Sequence, residues 1–269
     1  MKLTKNTGMN MAPEKLKKLA KETNSILCFG IDPVKSRMKA EIVPYFSEIT
    51  DALLEENLIS AIKPNYAYFA AEGFDGLFAL KELIDRYKNK TFVILDAKRG
   101  DIGKSSEAYA TEAYDFFGAD AVTIHPYMGE DSVKPFLRKD KVAYMQGRNS
   151  NPGAADFQEK KLESGDPLYY EVFKKAKEWG TGLVVGATSN AIPEAVELAG
   201  KNTPLLIPGI GAQGGSFETL ATLKENPFIH RVNSSSAISY AHEKSNENPA
   251  KAAVAEAQKT KEKINSLIF

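Results

Sequence analysis

The sequence predicts an α/β fold, a single TIM (β/α)8 barrel, on three observations. Short apolar runs recur eight times, each followed by a polar turn and then a stretch of helical period. Strands alternating with helices imply right-handed βαβ crossovers, and eight such units within ~250 residues are the count and size of this barrel. Polar and ionisable residues gather at the C-terminal ends of the runs, the rim on which such barrels carry their chemistry. The 269 residues are 43% hydrophobic, ample for a large core, and no Pro/Gly/Ser-rich linker divides them, so residues 1–269 are expected to form one domain.

Taken in order, the first run covers residues 26–30 and leads into Gly30-Ile31-Asp32-Pro33. An Asp at such a strand end serves as a turn residue as readily as a ligand contact. Residues 59–63 form the second run and end on Lys63-Pro64-Asn65. The third, residues 92–95, is too apolar to face water on either side, so it reads as a strand buried on both faces of a parallel sheet. It is followed by Asp96-Ala97-Lys98-Arg99-Gly100-Asp101-Ile102-Gly103. Asp96 and Lys98, two apart, point the same way at its end, with Asp101 beyond them on the turn. An unpaired charge there would cost several kcal/mol, so the cluster must compensate itself.

After Ser105-Ser106, the residues Tyr109, Ala113, Phe116 and Phe117 recur at helical spacing, and Gly118 is placed to end that helix. The fourth run, residues 121–125, ends at His125-Pro126. With 3 His in the chain and no second imidazole nearby, His125 reads as a rim or structural residue. The fifth, residues 142–145, opens into a long irregular stretch, residues 146–167, expected to be an active-site loop. Tyr169, Val172, Phe173 and Ala176 then mark a helix that stops at Gly180, and residues 182–185 form the sixth run. The seventh, residues 205–208, opens into Pro208-Gly209-Ile210-Gly211-Ala212-Gln213-Gly214-Gly215. Glycine lets backbone N–H groups approach an anion, and turns after the seventh and eighth strands of many barrels hold a phosphate; Gln213 adds a side-chain donor. The eighth run, residues 229–233, closes on Asn233-Ser234-Ser235-Ser236, and the charged residues between 243 and 263 read as a solvated helix face.

Composition excludes several classes of partner. Thirty-five basic against 35 acidic residues give a formal net charge of +0, so no global field draws the protein to nucleic acid or to a membrane surface. No apolar run approaches the ~18 residues of a membrane span, and the start lacks a secretion signal, so the cytoplasm is expected. The single cysteine, Cys28, forbids an intrachain disulfide and reads as a core residue. Arg99-Gly100-Asp101 spells an adhesion tripeptide, discounted here because it lies inside a buried site motif.

The motifs around Asp32, Lys63-Pro64-Asn65, the 96–103 segment, Ser150-Asn151-Pro152-Gly153, Gly186-Ala187-Thr188 and the 208–215 turn resemble orotidine 5′-phosphate decarboxylases, in particular their longer bacterial (type 2) subgroup, over nearly the whole chain. The resemblance implies a homodimeric TIM barrel that converts orotidine 5′-monophosphate to uridine 5′-monophosphate and carbon dioxide without metal or organic cofactor. By position, the family's alternating catalytic network falls on Lys63, Asp96, Lys98 and Asp101, the last crossing to the partner subunit's site. The same matching assigns Asp32 to a ribose hydroxyl, Ile102 and Ser105 of the neighbouring subunit to base and ribose, and Ser150 to the pyrimidine amide edge. It assigns Pro208, Gly211 and Gln213 to the phosphate.

There are departures from the family pattern. After the eighth strand the family usually carries an Arg that clamps the phosphate, and here that position is Ser236. Losing a charge-assisted bidentate contact costs roughly 1.5–3 kcal/mol, so weakened phosphate affinity is expected unless another cation substitutes; Arg231, Arg148 and Lys104 are the candidates. Arg148-Asn149 stands where a Thr commonly precedes the Ser-Asn-Pro, and Lys104-Ser105 where Ser and Thr are common, the second change keeping a hydroxyl. Other readings stay open: a related sugar-phosphate decarboxylase or Schiff-base lyase on the same scaffold, and a non-catalytic nucleotide-binding paralogue.

Overall fold

The eight predicted runs close into one parallel barrel, β1 through β8 each hydrogen-bonded to the next and β8 to β1. The computed structural model describes residues 13–187, 190–210, 217–245 and 247–269. In chain order the elements are α1 (Glu14–Glu22), β1 (Leu27–Ile31), α2 (Ile42–Glu55), β2 (Ala61–Pro64), α3 (Tyr66–Ala70), α4 (Gly73–Tyr87), β3 (Phe92–Arg99) and α5 (Gly103–Thr111). There follow β4 (Ala121–Ile124), α6 (Glu130–Val133), β5 (Val142–Arg148), α7 (Ala154–Phe157), α8 (Leu168–Trp179), β6 (Gly182–Val185), α9 (Ala191–Ala199) and β7 (Leu205–Pro208). The last elements are β8 (Arg231–Ser234), α10 (Ser236–Ser239) and α11 (Pro249–Ile268).

Two apolar layers hold this arrangement. Alternation along the strands sends Cys28, Ala61, Phe92, Ala121, Tyr144, Val184 and Leu206 into the barrel, where they pack with Leu16 of α1. The opposite faces carry Phe29, Ile62, Val93, Val122, Leu183 and Ile207, which meet the helices in the larger outer layer. Cys28 is fully buried, and burial pushes its thiol up to about 12, so it is an inert core residue. Among the described residues no helix is long and apolar enough to cross a membrane.

Several elements differ from the sequence expectation, β2 and β8 each beginning two residues later than the runs expected from 59 and 229, with Ile229 in a 3-10 turn. β3 runs on to Arg99 rather than ending at Leu95. The helix after Ser105 passes at Glu112–Phe116 into a wider π turn before Gly118 ends it with φ +78°, and the extra width turns Phe116 outward, leaving it 60% exposed. The stretch expected to be irregular over 146–167 begins inside β5, since Gln146 is a buried strand residue, and it contains α7 and a bridge between Lys161 and Pro167. α8 meets its expectation, stopping at Gly180 in the left-handed conformation that glycine adopts without steric cost.

The floor of the barrel is closed by polar groups from the last strand. Arg231 is fully buried and donates from Nη1 to the carbonyls of His230 at 2.7 Å and Phe228 at 3.2 Å, and from Nη2 to that of Leu16. His230 accepts at Nδ1 from the Leu205 N–H at 3.1 Å, which requires an unprotonated Nδ1. Burial, helped by the neighbouring Arg231, pushes this imidazole down to about 3. Between the ordinary histidine value and about 3 the unfolded chain therefore binds a proton that the native one does not, so this residue makes stability fall as pH drops through that window. Denaturant unfolding of His230→Gln, whose amide oxygen can accept the same N–H, is expected to show a shallower loss of stability between pH 6.5 and 4 than the unaltered chain; equal slopes would contradict the assignment.

Candidate active site

The end of β3 is built around a bulge. Leu95 lies level with Val122 and Arg99 with Ile124, so β3 carries more residues than β4 over the same rise. The excess is absorbed partly at Lys98, whose φ of +47° is unusual for any residue but glycine. Its N–H, turned out of the regular ladder, donates to Thr123 Oγ1 of β4 at 2.9 Å. This local distortion brings a long cationic side chain back over its own strand.

The residue it reaches is Asp96. Lys98 Nζ donates to Asp96 Oδ1 at 2.6 Å, Lys63 Nζ from β2 donates to Oδ2 at 2.7 Å, and Thr123 Oγ1 donates to Oδ1 at 2.8 Å. The side chains of Asp96 and Lys63 are 9% and 6% exposed, whereas that of Lys98 is 45% exposed. Burial alone would raise the Asp96 pKa, but the Lys63 and Lys98 ammonium groups outweigh it and hold the carboxyl well below the usual range. Burial would likewise strip the proton from Lys63; the Asp96 and Asp32 carboxylates prevail and hold it above its usual value. The result is an Asp96–Lys63 pair held ionised at neutral pH, with Lys98 as the water-accessible member of the cluster.

Above this cluster opens a cavity of about 460 Å³ at the C-terminal rim. Of the residues expected from sequence, Asp32, Lys63, Asp96, Lys98, Ser150, Pro208 and Ser236 line it. Ser150 is brought in by a close backbone approach: a Cβ on Gly186 at the end of β6 would lie 2.7 Å from the Ser150 Cα, so glycine is required there. Four lining side chains carry buried polar atoms with no partner among the described residues, namely Asp32 Oδ1, Gln146 Nε2, Asn149 Oδ1 and Asn233 Oδ1. Buried polar groups are normally satisfied, and these four atoms belong to side chains that form the wall of the cavity.

Other expectations fare differently. Asp101, Ile102 and Ser105 do not line the cavity of their own chain. Asp101 Oδ1 caps the N–H of Ile102 at 2.7 Å, and Ile102 is 60% exposed. Gly211 and Gln213 lie outside the described residues. None of the three cations expected to replace a guanidinium at Ser236 lines the cavity. Arg231 is on the barrel floor, Arg148 is bonded to Glu159 and the Asn149 carbonyl, and Lys104 is exposed on α5. Arg99 of the tripeptide pairs with Glu112 at 2.8 Å and lies between the Tyr66 and Tyr109 rings, a structural role.

Sequence reasoning passed over Thr123, Arg37 and Tyr240, and gave Gln146, Asn149 and Asn233 only as strand-end or loop residues without a role; all six line the cavity. Period-two alternation could have found Thr123, because it stands on β4 two residues after the barrel-facing Ala121. His125 follows β4 and lies outside the cavity, its imidazole held below its usual value by partial desolvation of the ring and by Lys98.

The chain matches a family model described as orotidine 5′-phosphate decarboxylase / HUMPS family over residues 25–226. An orotidine 5′-phosphate decarboxylase of Aromatoleum aromaticum is 45% identical over 237 residues, covering 81% of this chain and 86% of that protein. Among solved structures, the orotidine monophosphate decarboxylase of Leishmania donovani superimposes with a TM-score of 0.75 at 31% identity, over 94% of this chain and 98% of that one. The Leishmania donovani UMP synthase gives a TM-score of 0.81 at 33% identity over 95% of this chain, which spans 56% of that longer protein.

The buried ion pair sets a measurable expectation. Asp96→Ala leaves the Lys63 ammonium without its partner in a dry site, and loss of one member of a buried pair costs about 3–5 kcal/mol. Equilibrium unfolding in denaturant at neutral pH should show that loss; a change below about 1 kcal/mol, the ordinary value of an exposed pair, would contradict the described burial.

Proposed function

The chain belongs to the orotidine 5′-phosphate decarboxylase / HUMPS family and converts orotidine 5′-monophosphate to uridine 5′-monophosphate and carbon dioxide in pyrimidine biosynthesis, and we propose that it does so through the charged cluster at Asp96. The observation that carries this reading is the pair of ammonium groups at 2.6 and 2.7 Å from the two oxygens of one buried carboxylate, at the floor of the rim cavity.

Loss of carbon dioxide breaks the bond to C6 and leaves its electron pair on a carbon with no adjacent carbonyl to delocalise it. Stabilisation must come from fixed charge already in place. Lys98 Nζ, the solvent-reaching member of the cluster, lies beside the developing carbanion, donates its proton to C6, and regains one from water. Asp96, kept ionised by its two cations, faces the substrate carboxylate and disfavours it relative to the carbanion. Lys63 holds Asp96 in register from the adjacent strand.

The remaining contacts follow the cavity lining. Asp32, with Oδ1 unpartnered, takes a ribose hydroxyl; Ser150 takes the amide edge of the pyrimidine; the phosphate lies toward Pro208, the glycine turn with Gly211 and Gln213, and Ser236. Asp101, Ile102 and Ser105 act in the partner's cavity of a homodimer. What supports this is their position outside their own cavity, together with the 60% exposure of the apolar Ile102 side chain. A cytoplasmic setting fits the lone, buried Cys28 and the absence of any need for an oxidising compartment.

Loss of orotidine monophosphate absorbance with uridine monophosphate identified as product tests the reaction, and Lys98→Ala should abolish it while the protein stays folded; undiminished turnover in that variant would remove Lys98 as the proton donor. Mixing inactive Lys98→Ala with inactive Asp101→Ala tests the shared site. Random reassortment leaves one intact site per mixed dimer, so activity should reappear, and none would return if Asp101 served its own chain.

A further inference from the structure

Every cation that lines the substrate cavity among the described residues is either Lys63, Lys98 or Arg37. The two lysines are committed to Asp96. The internal segments outside the described residues, 188–189, 211–216 and 246, contain no Lys or Arg, so the glycine turn can offer an anion only neutral donors. A phosphate monoester carrying close to two negative charges needs a cation at the opposite end from Asp96; Lys244, Lys259 and Lys263 line only the adjoining cavity, and among the described cations Arg37 alone lines both.

Arg37 ends a short 3-10 turn, Lys35–Arg37, that follows β1. It stands at a partition: the substrate cavity and a neighbouring one of about 420 Å³ share Arg37, Ile210, Ser234, Ser236 and Tyr240 in their linings. Those are the residues at the mouth of the glycine turn and the end of β8, the same side of the rim as Pro208. Its guanidinium carbon lies 4.0 Å from the centre of the Tyr240 ring, a stacked geometry. The Tyr240 hydroxyl in turn donates to the Asp32 carbonyl at 2.7 Å and accepts from the Val34 N–H at 2.8 Å, tying down the loop that carries Arg37. The guanidinium is thus oriented by a ring that is itself fixed, independently of any anion.

Its present partner is a carboxylate. Arg37 donates from Nε and Nη2 to the two oxygens of Glu243 at 2.8 and 2.6 Å, a fork-to-fork pair that matches the bidentate geometry of phosphate recognition. The two side chains are 37% and 40% exposed, and ion pairs at such exposure contribute little and exchange readily.

We propose that Arg37 is the phosphate-gripping cation of this enzyme, released from Glu243 to the phosphate group of the bound nucleotide and kept in orientation by stacking on Tyr240. The assignment rests on the decarboxylase reading for the identity of the nucleotide. It places on the loop after β1 a charge that the hydroxyl of Ser236, which lines the same two cavities, does not provide.

The test is the ratio of affinities for uridine monophosphate and uridine, measured by calorimetry on the intact protein. Arg37→Gln should narrow that ratio at least tenfold, and adding Ser236→Arg to it should widen the ratio again, because position 236 borders the same space. Glu243→Gln, which removes the competing carboxylate and leaves the Tyr240 stack, should widen the ratio in the otherwise unaltered chain. An Arg37→Gln protein that loses both affinities in the same proportion keeps the ratio and overturns the proposal in favour of a purely structural ion pair. So does a Glu243→Gln protein whose ratio narrows. Failure of the decarboxylase reading shows itself separately, as tight binding of uridine monophosphate with no carbon dioxide released from orotidine monophosphate.

Discussion

One carboxylate with two ammonium groups on it is the constraint from which the rim of this barrel is arranged. Asp96 is too deeply buried to remain ionised alone, and its two oxygens take an ammonium each, with the Thr123 hydroxyl as a third donor. Lys63 reaches it from the neighbouring strand and Lys98 from its own. A regular β3 would continue its pairing with β4 residue by residue. The bulge between Leu95 and Arg99, the left-handed backbone of Lys98 and the Thr123 hydroxyl that receives its displaced N–H are the local means by which Lys98 returns to Asp96. Strain at a non-glycine residue is tolerated where surrounding contacts over-determine it, and here three hydrogen bonds to one carboxylate do so.

The two ends of the barrel divide the work. At the N-terminal end Arg231 is spent on backbone carbonyls and His230 stays neutral to accept a backbone N–H, so charge there serves closure. At the C-terminal end Asp32, Gln146, Asn149 and Asn233 of the cavity lining carry buried polar atoms with no partner among the described residues, as do groups elsewhere in the barrel such as Tyr144 and Arg231 Nε.

Much of this was legible in the sequence, because period and chemistry agree along the strands. The apolar runs at 92–95, 182–185 and 205–208 are strands in the structure, and the charges following the first of them line the cavity. What was not legible depended on geometry that no local pattern encodes. The extension of β3 through a bulge, the π turn that exposes Phe116 and the helix within the loop after β5 each arise from tertiary packing overriding a simple period. The Arg37–Glu243 pair joins residues 206 apart, and nothing in either neighbourhood names the other. Arg231 was misplaced for the same reason: a basic residue two positions before the catalytic rim's Asn233 lies at the opposite end of a short strand.

The central claim is that the Asp96 carboxylate acts on the reacting carboxylate group of the substrate rather than on nucleotide binding. Comparing turnover of orotidine monophosphate with affinity for uridine monophosphate in Asp96→Asn tests it most directly, since the product lacks the carboxylate that Asp96 opposes. The account predicts that turnover falls at least about a hundredfold, the scale expected when a preorganised charge at the reacting centre is removed, while affinity for uridine monophosphate is retained. Turnover within tenfold of the unaltered enzyme, or a loss of product affinity as large as the loss of turnover, would contradict it.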